Sequence, residues 1–478
     1  MAEEMVIVLH LKINFMSLKW SSIANLLKVF FTISIILMIS LINFSCKKYH
    51  KKIEGDPLGD AIRGMDTTQH LWASWNVLLK PGTDYTARST AILAVENYMN
   101  DEFYRIFPFN FTIQFQVFYC PCDSLLYNIG AKVIDGSGHS VTTPPPPPPP
   151  GGSGDALFVS KNNPVIEPAD SIPVNDTSFK MVLSDPLRQT QVDSQILTII
   201  DTGIDPRYFS SEISELIWTG DGANTIYNVI DPNSNSFFDD HPEKHGTIVT
   251  AVALKALKDQ NAAFGARINH LSKLMILKAL DSKKQGSTFS VSCALSYAVQ
   301  RRAAVINASL GYYEMGGDVD AVLRHYIDLC RTQSNPIIVF AAAGNVPTPA
   351  ASGMICYQGT SNLNTHRMFY PACFSNDFNN VYSVTTLTNT HASCFYQNYS
   401  QQYVSLGVIQ TGTAGCCHFS VPFALANGSS FATPVVAGTG TSYILNGQTV
   451  SNYIGSVNRE SSLPLATKDG KYFNYRSN

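Results

Sequence analysis

The chain has 478 residues, 45% of them hydrophobic and 14% charged, with a formal net charge of −3. That length exceeds one average domain, and that composition supports a large buried core rather than extended disorder. There is no long basic run, so the charge pattern gives no reason to expect nucleic acid as a partner.

From Val29 to Phe44 an almost unbroken apolar segment follows Lys12, Lys19 and Lys28. A basic flank ahead of an apolar stretch is how a secretory signal begins, and this one is short for a bilayer-spanning helix. It ends in Ser45-Cys46 and resembles a loose bacterial lipobox, which would make Cys46 the lipidated first residue of the mature protein. Asn43 and Phe44 depart from the small or aliphatic residues usual there, and the alternative is an uncleaved anchor helix. Lys47, Lys48, Lys51 and Lys52 follow at once, which suits a helix whose C-terminal side must cross the membrane poorly. On either reading residues 1–46 direct export. The bulk of the chain is expected outside the cytoplasm, membrane-anchored as a periplasmic or cell-surface lipoprotein.

Residues 55–142 read as a small α/β module. Trp75–Leu79 predicts a strand ending at the Lys80-Pro81-Gly82 turn. Ser89–Phe103 has helical spacing, with Ile92, Val95 and Met99 on one face and Ser89 as the expected N-cap. Phe109–Tyr119 alternates as a second strand. Seven prolines at 144–150 and the Gly151-Gly152-Ser153-Gly154 tail then form a linker over 143–154, stiff first and flexible after. This linker is expected to separate a pair of folded units.

The second unit, 155–478, carries continuous apolar runs at Ile196–Ile200, Leu274–Leu277, Val305–Ala308, Ile337–Ala342 and Val381–Val384. Helical stretches such as Thr247–Ala256 and Val291–Arg301 lie between several of them. Continuous apolar strands interleaved with helices predict a mostly parallel sheet buried on both faces, an α/β layered fold with active residues at the strands' carboxyl ends.

Ten cysteines occur: Cys46, Cys120, Cys122, Cys293, Cys330, Cys356, Cys373, Cys394, Cys416 and Cys417. Cys120-Pro-Cys122 and Cys416-Cys417 are poor matches to zinc spacing. The five between 356 and 417 fit disulfides in an oxidising compartment, in a pairing that spacing leaves open, with buried thiols as the alternative.

Peptide hydrolysis requires a nucleophile, a base, a group orienting the base, and donors for the oxyanion. Asp201 ends an apolar run and precedes Thr202-Gly203; read alone it is more readily a turn acid. His245 opens a helical run, in Lys244-His245-Gly246-Thr247. Ser430 lies in Asn427-Gly428-Ser429-Ser430-Phe431-Ala432-Thr433-Pro434, where small residues admit a substrate and the following helix start favours negative charge.

"IIDTGID", "HGT" and "GSSFATP", in the order Asp, His, Ser, resemble the three active-site blocks of the subtilase family. The resemblance covers about residues 196–445. It implies a three-layer subtilisin-like fold and a serine endopeptidase acting on protein or peptide substrates, with Ser430 as nucleophile, His245 as base and Asp201 orienting it. Val305–Gly311 resembles the family's substrate-binding strand, which implies backbone pairing to Ser309, Leu310 and Gly311. Ala341–Asn345 resembles the block bearing the oxyanion asparagine, which implies Asn345 in that role. The module at 55–142 is similar to the family's inhibitory prodomains, with a binding, adhesion or spacer module as the alternative. Ile248 and Ser429 depart from the family blocks, which commonly have histidine and threonine there. No cofactor is implied for the chemistry. Structural calcium is frequent in the family, but Asp231, Asp239 and Asp240 lack calcium-loop spacing and are expected to be solvated loop acids. Val346–Phe378 is expected to be a loop region near the cleft that narrows specificity. The competing reading is a catalytically silent, subtilase-shaped surface binding protein.

Overall fold

The computed structural model describes residues 62–63, 73–107, 110–141, 147–148, 155–166, 170–173, 180–183, 195–222, 225–231, 234–264, 273–314, 319–345, 368–392, 394, 397–411, 418–459 and 467–476. Cys46, the apolar segment 29–44 and residues 346–367 lie outside them.

The N-terminal module begins with β1 (Ala73–Leu79), α1 (Tyr85–Ile106), β2 (Phe111–Cys120) and β3 (Asp123–Asp135). Helix α1 starts four residues before the expected Ser89. Asp84 accepts the Ala87 amide at 2.8 Å, an acid capping the helix directly after the Lys80–Gly82 turn. Ile92, Val95, Met99 and Phe103 turn inward, with Phe103 edge-on to Trp75 at 5.9 Å. Strand β4 (Ala156–Lys161) lies beyond the proline run, yet it pairs antiparallel with β1, Val77 opposite Val159. The sheet therefore runs Ile62–Arg63, β2, β3, β1, β4, and the linker does not divide the chain into separate units. Once the β2–β3 hairpin takes one edge of β1, the other edge still needs partners for its amides and carbonyls. The chain that follows the prolines supplies them.

The remaining elements are β5 (Pro164–Ile166), β6 (Asp170–Pro173), β7 (Leu197–Asp201), α2 (His245–Ala263), β8 (Leu274–Lys278), β9 (Gln285–Ser287), α3 (Thr288–Gln300), β10 (Val305–Ala308), β11 (Tyr312–Tyr313), α4 (Ala321–Arg331), β12 (Ile338–Ala342), β13 (Phe369–Tyr370), β14 (Val381–Leu387), β15 (Leu406–Thr411), β16 (His418–Val421), β17 (Ala424–Asn427), α5 (Ser429–Leu445), α6 (Val450–Ser456), β18 (Asn458–Arg459) and β19 (Lys471–Arg476). Eight of these strands form one sheet in the order β8-β7-β10-β12-β14-β15-β19-β18, parallel except for the last pair. Each predicted apolar run is one of its strands.

Burial on both faces explains why those runs do not alternate. Leu197 and Ile199 pack with Ile248 and Val252 of α2 and Phe431 and Val435 of α5. Ile196 and Ile200 point the other way, to Phe289 and Leu295 of α3 and Leu323 and Ile327 of α4. Each such side chain removed from water contributes about 1.5–3 kcal/mol. The departure at Ile248 belongs here: it is fully buried in the α2 core.

The module rests on α3 and α4. Asp123 accepts from Ser296 (3.0 Å) and Tyr326 (2.7 Å). Asp320, the buried N-cap of α4, accepts from Ser160 (2.6 Å) and Asn76 (3.3 Å). A disulfide joins Cys120 of β2 to Cys293 of α3, which removes Cys120 from any zinc reading of Cys120-Pro-Cys122. Cys394, within the stretch where bridges were expected, is also disulfide-bonded.

Candidate active site

Three local geometries bring the site together at the carboxyl end of the sheet. Asp201 is the last residue of β7, His245 the first of α2, and Ser430 the second of α5. Asp201 is 1% exposed. Its Oδ1 lies 2.7 Å from His245 Nδ1 and accepts the Thr202 amide at 2.7 Å. An acid so placed fixes which ring nitrogen carries the proton. The approach depends on Gly246. A Cβ there would stand 2.3 Å from the Gly203 carbonyl oxygen, so any side chain would push the histidine off the aspartate's loop. Thr202 Oγ1 also receives the Gly246 amide at 2.9 Å.

Helix α5 sits beside α2 at very short range. A Cβ on Gly438 would lie 2.1 Å from the Ala253 carbonyl oxygen. This contact brings the His245 ring to 5.0 Å from the ring of Phe431, the residue after Ser430. Ser430 is fully buried, and its hydroxyl donates to the Ser309 carbonyl at 3.1 Å, while Ser309 Oγ donates to the Ser430 carbonyl at 2.7 Å. Among the described residues the Ser430 hydroxyl is thus bonded to the 309–311 segment rather than to the imidazole.

Asn345 follows β12 and is met by the start of α5. Its Oδ1 accepts both the amide and the hydroxyl of Ser429, each at 3.0 Å, and Ser429 Oγ accepts the Gly344 amide at 3.1 Å. A backbone N–H can only donate, so the side-chain amide must present oxygen to Ser429 and nitrogen to the other side. The departure at Ser429 is explained by this contact, which needs a hydroxyl and nothing more.

Of two buried charged residues here, the sequence reading expected one to be solvated and missed the other. Asp239 is fully buried, not solvated, and accepts from the Thr247 amide (3.0 Å), Thr247 Oγ1 (2.7 Å) and the His241 amide (3.2 Å). Burial raises its pKa, opposed by the Thr247 hydrogen bonds. It anchors the first turn of α2. Lys278 ends β8 opposite Asp201 and donates to the Thr202 carbonyl (2.8 Å), the Phe238 carbonyl (3.2 Å) and Asp240 (2.5 Å). Asp240 is accordingly an ion-pair partner rather than a lone loop acid. The lysine that closes the run Leu274–Lys278 was the available signal, since a lysine ending a buried strand needs acceptors.

Two short strands that precede the central sheet pair with elements next to the site. Strand β5 pairs antiparallel with β9 and packs on β11, directly after Ser309–Gly311. Strand β6 then pairs with β17, with Asp170 opposite Asn427, three residues before Ser430.

The model of the subtilase family matches residues 193–444. Subtilisin-like protease 1 of Plasmodium falciparum is 26% identical over 276 residues, 52% of this chain and 37% of that protein. Halolysin of Haloferax mediterranei is 27% identical over 242 residues, 51% and 40%. The cell wall-associated protease of Bacillus subtilis is 27% identical over 195 residues, 40% and 19%. The match thus spans no more than 40% of these relatives' length. A family match over more than half of the chain, laid on an aspartate, a histidine and a serine at the ends of its central elements, makes the chain a member of the subtilase family.

Proposed function

We propose that the chain is an exported serine endopeptidase in which Ser430 attacks the scissile carbonyl, His245 takes its proton and returns it to the leaving amine, and Asp201 orients His245. The 2.7 Å contact between Asp201 Oδ1 and His245 Nδ1, beside the helix that bears Ser430, carries this reading. For attack, Ser430 leaves the Ser309 carbonyl and turns to Nε2 of His245. The Asn345 amide nitrogen and the Ser430 N–H, one of the first-turn amides that no intrahelical carbonyl reaches, stabilise the oxyanion. Ser309, Leu310 and Gly311 pair with the substrate backbone. The chemistry calls on no cofactor.

In the same proposal the N-terminal module acts as an inhibitory prodomain. Its support is the pair of short strands that follow it, β5 packed on β11 just after the 309–311 segment and β6 paired with β17 just before Ser430. Export and membrane tethering through Cys46 rest on the sequence. The test is labelling with a fluorophosphonate together with peptide-library digestion by the wild-type chain and Ser430→Ala. The wild type is expected to label and cut. A chain that does neither is the silent binding protein instead.

A further inference from the structure

The 309–311 segment and the 343–345 segment meet an aromatic ring that comes from neither. Strand β13 pairs antiparallel with β11, with Phe369 opposite Tyr313, and their rings lie 4.7 Å apart. Phe369 is 3% exposed and clusters with Ala341, Ala372 and Tyr313. A Cβ on Gly311 would stand 2.4 Å from Phe369 Cε1, and one on Gly344 2.9 Å from Phe369 Cδ1. The ring therefore fills the slot left between these two glycines. Behind it, Asn398 Nδ2 donates to the Ala343 carbonyl (2.7 Å) and Tyr313 OH (2.8 Å), and Tyr313 OH donates to the Asn345 carbonyl (2.8 Å). These hydrogen bonds tie together the backbone around the ring.

That slot is where a substrate side chain must go. The attacked carbonyl has to lie near Ser430 Oγ, with its oxygen toward Asn345, while the peptide backbone runs beside 309–311. The side chain of the residue that owns this carbonyl is two bonds from the reacting carbon. It is directed between Gly311 and Gly344, the two residues there without side chains. Resting on the proposed reaction, we propose that Phe369 is a specificity-determining residue that plugs this pocket, so that the acyl-side residue of the substrate must be glycine, alanine or serine. Among the described residues Phe369 supplies the nearest atoms to a Cβ on Gly311 and, after Asn398 Nδ2, to one on Gly344.

The test uses the full chain and a peptide series differing only at the acyl-side residue, Ala, Leu or Phe. Filling or emptying a pocket by one or more methylenes shifts selectivity 10–200-fold. Wild type is expected to favour Ala over Phe in kcat/KM by about 10²-fold, and Phe369→Ala to lower that Ala-to-Phe ratio about 10²-fold. Phe369→Leu, a smaller change to the packing, is expected to admit Leu first and keeps the test valid if Phe369→Ala does not fold. In parallel, peptides ending in Ala or Phe are titrated onto Ser430→Ala with and without Phe369→Ala, so that the pocket is read without turnover. Binding preference without cleavage in the wild type would sink the protease reading and keep the pocket. Cleavage with equal use of Ala and Phe, or an unchanged ratio in both Phe369 variants, overturns the pocket.

Discussion

Asn345→Ala removes a catalytic role and a structural one together, because both ends of the same amide are assigned work. Removing one oxyanion-hole donor lowers kcat about 10²–10³-fold, equivalent to about 2.7–4 kcal/mol. The loss should fall on kcat with KM nearly unchanged, since the donor meets charge that exists only in the transition state. The same substitution takes the acceptor from the Ser429 amide and hydroxyl, both at 3.0 Å and fully buried. An amide left unsatisfied there costs about 1–3 kcal/mol of stability. Asn345→Asp splits the two effects, because a carboxylate still accepts from Ser429 but offers no donor. We expect the alanine variant to lose both melting temperature and kcat, and the aspartate variant to lose kcat while melting closer to wild type. Steady-state kinetics on a peptide with an alanine acyl residue, with melting curves of the three proteins, read this out. If both variants keep kcat within about threefold of wild type, the oxyanion assignment is wrong.

Two further outcomes concern the N-terminal module. Glu96 on α1 is 2% exposed, and burial raises its pKa from 4.5 to about 7. The unfolded chain ionises this group from about 4.5 upward and the folded one only near 7. Stability is therefore highest below 4.5, falls by about 3 kcal/mol between these limits, and is level above them. Urea unfolding from pH 4 to 8 should show that fall in wild type and lose most of it in Glu96→Gln; parallel pH profiles would refute the burial argument. Second, the chain between β5 and β6 is only Glu167, Pro168 and Ala169, and Ala169 alone of these suits a plugged pocket. N-terminal sequencing of the matured enzyme is expected to begin at Asp170. The released module should then stay with the enzyme on non-reducing gels and separate from it on reduction, through Cys120–Cys293. A different new terminus, or a module lost without reductant, would count against self-cleavage at that bond or against retention by the bridge.

The sheet was legible because each of its core strands is a local apolar run, and burial on both faces leaves a mark in consecutive residues. The ends of those runs were legible for the same reason: Asp201 closes one, His245 and Ser430 open helices, and each carries its own short block. Periodicity also found α1 but misplaced its start, because Asp84 competes with Ser89 as a cap and only the turn before it decides.

The amino-acid sequence by itself determined the layered α/β plan, the order of the chemical residues and the family. Tertiary structure alone decided that β4 crosses the proline linker to finish the module's sheet, that Cys120 bonds to Cys293, that Asp239 and Lys278 are buried beside the site, and that Phe369 stands between Gly311 and Gly344. Most of these contacts join residues far apart along the chain. They are selected by which edges, charges and voids the assembled core leaves unsatisfied, and no short window of sequence contains that information.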